Sequence, residues 1–231
     1  MQLKIKKVEF LELIYSICSI VIWHKLRVYA LRQNGWYFSR RLHESKSFED
    51  PIPWMTYASI DFLGQCVSKS ARVLEFGSGN STIWWLSRGN SVVSLETNLG
   101  WSEKVQTQIV EGGWEDRSEL RLVSKISPSE LSKFQDASFD LIVNDGDGDR
   151  VEIIEQILRL LSPKGILVWD NSDRTEYEGG KKILFSHGFH ELKFTGMGPI
   201  NAYGWITSVF YKNFESFDSV RSKPDFSSIK Y

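Results

Sequence analysis

The chain has 231 residues and 26.7 kDa, long enough by area scaling to hide roughly 70% of its unfolded surface around one core. Its 42% hydrophobic and 25% charged residues exclude a largely disordered or collagen-like polymer. A net charge of −1, from 28 basic and 29 acidic side chains, removes bulk attraction to polyanions such as nucleic acid as a default explanation of function. Cys18 and Cys66 are too few for a disulfide framework or a four-thiolate zinc site, so a reducing, cytoplasmic setting is expected. Nine Trp among 13% aromatics exceed what such a core commonly needs and point to rings that line a pocket or touch a surface.

The net charge conceals an asymmetry. Residues 1–43 carry eight basic and two acidic groups, and the remainder carries 20 and 27, so a +6 head precedes a −7 body. Inside the head, Phe10 to Trp23 is apolar apart from Glu12 and two serines, and it is flanked by Lys4, Lys6, Lys7, Lys25 and Arg27. A run of about 14 residues is short of the roughly 20 that span a bilayer, and no small-residue cleavage site follows it. Two readings stay open for this N-terminal helical extension, residues 1–50. It packs on the body or at a homodimer interface, or it lies in the plane of a membrane at the cytoplasmic face, anchored by the bases of residues 1–32.

Further along, Trp54 to Ser68 reads as a helix with Ile60, Leu63 and Val67 apolar. From Ala71, short β-branched runs alternate with helical stretches, the pattern of a parallel sheet with crossover helices. Strands are expected at Arg72–Phe76, Val92–Glu96, Leu120–Val123, Phe139–Asn144, Ile166–Asp170, Phe189–Phe194 and Thr207–Tyr211. Helices are expected near Ser81–Arg88, Trp101–Val110, Arg150–Leu161 and Gly180–His187, with Pro163-Lys164-Gly165 stopping the third of these. The body is expected over 51–213, with 214–231 a loosely held tail.

The first strand runs into Gly77-Ser78-Gly79-Asn80-Ser81-Thr82 and a helix. Two glycines permit a tight strand-to-helix turn and close approach of a ligand to the backbone, beside unpaired helix N–H groups. The third glycine of the dinucleotide pattern and the lysine of a triphosphate loop are both missing. Glu96, at the end of the second strand, can accept from two vicinal ribose hydroxyls, so the ligand should contain a ribose and need not contain a pyrophosphate. Ser81 is expected as the helix N-cap.

These residues carry a resemblance. VLEFGSGNST with Glu75, Glu96 after the second strand, FDLIVNDG and GILVWDN together look like the class I S-adenosylmethionine-dependent methyltransferases, over about Trp54 to Lys212. The resemblance implies a doubly wound, mostly parallel seven-stranded α/β sheet with an antiparallel last strand. It implies an enzyme that binds S-adenosyl-L-methionine through Gly77, Ser78, Gly79 and Ser81, with Glu96 on the ribose and Glu75 supporting the turn or the ammonium; Asp145 is also placed at the cofactor.

Asp145 and the Asp170-Asn171 pair follow strands expected to point their carboxyl ends into the same crevice. They are similar to the acid and Asp-Asn pair of the metal-dependent O-methyltransferases, which implies Mg²⁺ on Asp145, Asp170 and Asn171. A lysine base after the first acid is not apparent, so metal-free use of Asp145 or Asp170 as base or anchor stays open, as does a purely structural turn. Asp145, Asp147 and Asp149 also have the flavour of a calcium loop, without its later glutamate and with Arg150 intruding. His187 and His190 rank low as bases. Two aromatic segments could wall the crevice around an acceptor, Trp54, Thr56 and Tyr57 before the sheet, and Tyr203 and Trp205 after the sixth strand. The expected reaction is O-methylation of a small-molecule, sugar or lipid-linked acceptor. N- or C-methylation without metal and a membrane-associated, non-catalytic binding protein are the rivals.

Overall fold

The computed structural model describes residues 51–213 together with Ser19–Ile22, His24, Phe48 and Phe217. The chain divides into two compact units, Met1–Ser45 and Lys46–Tyr231. In the first, Ser19–Ile22 and His24 are helical, with Ile20, Val21 and Ile22 exposed. The rest of the apolar run, Cys18 and the flanking lysines and arginines lie outside the described residues. Among the described residues, no helix is long and apolar enough to cross a membrane.

The second unit is built, in chain order, from α1 (Tyr57–Cys66), β1 (Arg72–Phe76), α2 (Asn80–Arg88), β2 (Ser91–Glu96), α3 (Leu99–Glu111), β3 (Ser118–Leu122), α4 (Pro128–Leu131), β4 (Phe139–Asn144), α5 (Ile154–Leu160), β5 (Leu161–Trp169), α6 (Glu178–Ser186), β6 (His190–Gly196) and β7 (Trp205–Tyr211). The seven strands form one sheet in the order β3-β2-β1-β4-β5-β7-β6. β3, β2, β1, β4 and β5 pair in parallel, and β7 is antiparallel to both of its neighbours. Strands β1 and β4 meet at the point where the strand order reverses, the place where such sheets open a crevice.

Alternation along each strand divides the core into two layers. Val73, Val92, Leu141, Val143 and Val168 join Leu63, Ile83, Trp85, Val105 and Ile109 of α1, α2 and α3. Leu74, Phe76, Ile142, Leu167 and Trp169 join Leu131, Ile154, Ile157 and Leu184 of α4, α5 and α6. Because both faces are covered, β1 and β4 are almost continuously buried, and their sequences read as unbroken apolar runs rather than alternating ones. Glu75 is the exception in β1, a carboxylate 1% exposed.

One expectation changes. Pro163-Lys164-Gly165 lies inside β5 rather than between a helix and a strand. Leu161 pairs with Phe139 and Ile166 with Leu141, so residues 162–165 bulge out of the ladder, at the place where proline's missing N–H is tolerated. Phe217 is buried against Phe62 and Tyr211 with ring centroids 5.3 and 5.0 Å away, and the rest of 214–231, expected as a loosely held tail, lies outside the described residues.

The segment after β6 is pressed against the one before α1. Tyr57 N–H donates to the Met197 carbonyl at 2.9 Å, and a Cβ on Gly198 would stand 2.1 Å from the Met55 carbonyl oxygen and 2.5 Å from the Trp205 ring. Neither the backbone oxygen nor the buried indole can yield. Gly198→Ala is therefore expected to destabilise the protein by about 1–3 kcal/mol, read as a fall of several degrees in melting temperature by calorimetry.

Candidate active site

The carboxyl ends of β1, β2 and β4 enclose a cleft of about 420 Å³, within the range of small-ligand sites. Its floor is the turn from β1 into α2. Gly77 has φ +84°, and a Cβ there would meet the Gly146 backbone at 3.4 Å, so glycine is needed both for the left-handed turn and for the approach of the β4 loop. The N-cap of α2 is Gly79, with Ser81 the second helical residue, which corrects the expected cap. The Gly79 N–H donates to the Thr82 hydroxyl at 2.9 Å.

Two carboxylates stand at this turn. Glu75 Oε2 accepts from the hydroxyls of Thr82 and Ser94, whereas its Oε1, buried, has no hydrogen-bond partner of good geometry among the described residues. Burial pushes the Glu75 carboxyl up to about 7, against the opposing effect of the Ser81 and Thr82 hydroxyls. Glu96 is saturated: Oε2 accepts from the Ser78 N–H and hydroxyl, and Oε1 from the N–H groups of Thr97 and Asn98, all at 2.8 Å.

Trp101, expected only as the start of a helix, closes one side of the cleft. Asn98 caps α3 by accepting from the Trp101 N–H at 2.9 Å, and the Trp101 indole N–H donates to the Ser78 carbonyl. Trp54, whose centroid is 6.1 Å from that of Trp101, lines the cleft with it. The available signal was an asparagine three residues before a tryptophan, just after the second-strand acid.

The third wall follows β4. Asp145 pairs with Arg150 at 2.9 Å, and the buried guanidinium also donates to the carbonyls of Gly146 from Nε, of Asn144 and Asp170 from Nη1, and of Asp145 from Nη2. All five of its N–H groups are used. Burial raises the Asp145 carboxyl and the Arg150 charge counters it. Asp149 caps the chain beyond, accepting from Val151 and Glu152 N–H at 2.9 and 3.1 Å. Asp145 and Asp149 are thus turned to separate partners rather than to one calcium.

Asp170 stands close enough to Asp145 for their charges to repel, but its hydrogen-bond partners are different. Its Oδ1 accepts from the Trp205 indole at 2.9 Å and from the Thr207 hydroxyl, and burial raises it to about 7. Asn171, at φ +54°, accepts from Arg174 at 3.4 Å. Among the described residues no group of three or more His, Cys, Asp or Glu could hold a metal. With Asp145 against a guanidinium and Asp170 Oδ1 doubly hydrogen-bonded, this donor set does not fit the expected Mg²⁺.

Of the acceptor-wall residues, Trp54 lines the cleft and Tyr203 is exposed beside Trp205. Thr56 and Trp205 are enclosed. The Thr56 N–H donates to the Thr207 hydroxyl at 3.0 Å and its own hydroxyl to the Phe194 carbonyl at 3.2 Å. Tyr57 is half-buried in α1. His187 follows α6 with Nδ1 2.9 Å from the Ile183 carbonyl, and His190 packs on Tyr211; neither lines the cleft.

Residues 74–172 match the sequence model of a methyltransferase domain. That stretch, less than half of the chain, is what resembles a methyltransferase domain. The chain shares its fold with the O-methyltransferase TomG of Streptomyces achromogenes, involved in tomaymycin synthesis and solved with S-adenosylmethionine. The two are 16% identical with a TM-score of 0.59, over 82% of this chain and 96% of that one. An O-methyltransferase of Bacillus cereus in complex with S-adenosylhomocysteine is 21% identical at a TM-score of 0.51, over 67% and 86%. A cofactor-bound protein of MTB is 22% identical at 0.53, over 65% and 77%. No curated protein matches the sequence.

Two tests follow from the buried charges. Arg150→Lys supplies at most three donors for five bonds and is expected to cost about 2–4 kcal/mol, measured by denaturant unfolding. Because the folded Glu75 binds its proton more tightly than the unfolded chain does, its contribution is intact near pH 4.5 and is lost as pH rises through about 7. Glu75→Gln should thus gain stability over wild type at pH 8, by about 3 kcal/mol at most, with little gain at pH 5. Melting curves at the two pH values read this difference directly.

Proposed function

We propose that this methyltransferase methylates an oxygen of a small-molecule, sugar or lipid-linked acceptor, without a metal ion, and that Asp145 receives the acceptor's proton. Asp145 is the observation that carries the reading. It lines the cleft, Arg150 holds its Oδ1, and its Oδ2 accepts no hydrogen bond among the described residues. Burial makes it a better base than an exposed aspartate, and Arg150 fixes its orientation. That TomG and the Bacillus cereus protein are O-methyltransferases favours oxygen over nitrogen or carbon.

In this reading the glycine turn and the unpaired Glu75 Oε1 receive the amino-acid end of S-adenosylmethionine, and Glu96 receives the ribose. Since Glu96 already has four donors, the Ser78 hydroxyl is the one that turns away, because the other three are backbone N–H groups fixed by the turn. Bound S-adenosylmethionine supplies a methyl group on a sulfonium sulfur. The acceptor oxygen forms the new C–O bond, the S–C bond breaks with its electron pair left on sulfur, and the hydroxyl proton passes to Asp145. Trp54 and the exposed Tyr203 are proposed to meet the acceptor, with Thr56, Tyr57 and Trp205 supporting them from behind.

The exposed Ile20, Val21 and Ile22 and the +6 charge of residues 1–43 support peripheral contact of residues 1–32 with a membrane at its cytoplasmic face. A homodimer is the competing use of the same residues. Residues 1–50, 51–213 and 214–231 are the proposed divisions of the chain.

Calorimetric titration with S-adenosylmethionine, followed by radiolabelled methyl transfer into host extracts, tests the reading. Glu96→Ala should weaken cofactor binding by about tenfold or more, and turnover should be unchanged by EDTA. Cofactor affinity indifferent to Glu96→Ala, or turnover abolished by EDTA, would refute the corresponding assignment.

A further inference from the structure

A guanidinium that no acid holds stands beyond the carboxyl end of β5. Arg174 belongs to the loop between β5 and α6, on the side of β4 away from the glycine turn and at the strand ends where such sheets take their ligands. Hydrogen bonds fix the loop: the Arg174 N–H donates to the Asn171 carbonyl and the Tyr177 N–H to the Arg174 carbonyl, both at 3.1 Å. The Arg174 side chain is exposed. Its guanidinium lies 5.9 Å from the centroid of the Tyr177 ring, and that of Arg150, the partner of Asp145, lies 5.6 Å from the same centroid. Asp145, raised by burial and lowered by Arg150, is lowered further by the charge of Arg174, which sets Arg174 within electrostatic reach of that carboxylate. The two cations differ in what they have left to give. All five N–H groups of Arg150 are spent on the protein itself. Arg174 donates to the Tyr177 hydroxyl at 3.3 Å and to Asn171 Oδ1 at 3.4 Å, both long for a charged donor, and it pairs with no carboxylate among the described residues. Acids of its own loop are turned to β7: Asp170 Oδ1 accepts from Trp205 and Thr207, and Asp173 Oδ1 from the Ile206 N–H. Elsewhere on the surface, Arg121, Lys125 and Lys133 each sit on a glutamate.

From this we infer that Arg174 selects the acceptor, and that the acceptor carries an oxyanion, carboxylate or phosphate, which enters the guanidinium fork while its hydroxyl faces Asp145. The inference rests on Asp145 receiving the proton in an oxygen methylation, as proposed above. In that reading the cofactor takes the ends of β1, β2 and β4, so the acceptor approaches Asp145 from the side of β5, where Arg174 stands. A planar fork of N–H groups matches a carboxylate or a phosphate with two parallel bonds, and an unspent one costs little to desolvate when such a group arrives. Tyr203 belongs to the same side: it is exposed and 6.0 Å from Trp205, whose indole donates to Asp170 at the end of β5. An aromatic face and a free cation are thus offered to one acceptor, and neither is part of the cofactor cleft.

The test uses the full chain, radiolabelled methyl transfer from S-adenosylmethionine into a small-molecule extract of the native host, and anion exchange of the products at neutral pH. The label should be retained with the anions. Phosphatase treatment of the extract beforehand separates the two oxyanions, since it removes the retention of a phosphate acceptor and leaves that of a carboxylate. In Arg174→Gln, half-maximal rate should need about tenfold or more of the retained acceptor fraction, with kcat within about threefold and with S-adenosylmethionine affinity by calorimetry and melting temperature unchanged. Arg174→Lys, which keeps the charge and loses the fork, should recover part of the loss. Three results each overturn the inference and leave the proposed function standing: label only in uncharged products, an Arg174→Gln defect in S-adenosylmethionine binding, or a change confined to kcat and its pH profile with half-saturation unmoved. No labelled product at all overturns both.

Discussion

The guanidinium of Arg150 fixes the end of the sheet on which the candidate site stands. Four carbonyl groups, from Asn144, Asp145, Gly146 and Asp170, and one carboxylate converge on its five N–H groups. At the carboxyl ends of parallel strands the ladder stops, and these carbonyls would otherwise be buried without partners. One planar cation with donors in a fixed fork satisfies all of them and joins the loop after β4 to the end of β5. The loop brings Gly146 against Gly77 and Asp145 to the cleft, so the geometry of the site rests on a side chain outside its lining. The Tyr177 ring, 5.6 Å from the Arg150 guanidinium, adds a further favourable face to the buried charge.

Around that fastening the charges are arranged by burial. Glu75 and Asp170 are both enclosed and raised to about 7, but their surroundings differ. Asp170 Oδ1 is held by Trp205 and Thr207 of β7, which ties the antiparallel closing strand to β5. Glu75 Oε1, at the wall of the cleft, has no hydrogen-bond partner among the described residues. In sequence each is simply an acid at or near the end of a β-strand.

Much of the architecture was legible because the physics that sets it is local. Seven β-branched runs separated by helical stretches, with a glycine turn after the first and an acid after the second, are enough to specify a doubly wound sheet and its crevice. The boundary that shifted did so for a tertiary reason. Residues 162–165 bulge because β5 reaches back to pair Leu161 with Phe139.

The sequence by itself determined the order of strands and helices, the turn at Gly77 and Gly79, and the presence of acids at or just beyond the carboxyl ends of β1, β2, β4 and β5, since each depends on periodicity, backbone freedom or residue type over a few positions. Only the tertiary structure decided what those acids do. Asp145 and Asp170 look alike as strand-end aspartates and invite one metal between them. Folding instead places Arg150 on the first and two β7 donors on the second. Partners that lie five and 35 or more residues away in the chain, and not spacing, set the charge, orientation and availability of a buried carboxylate.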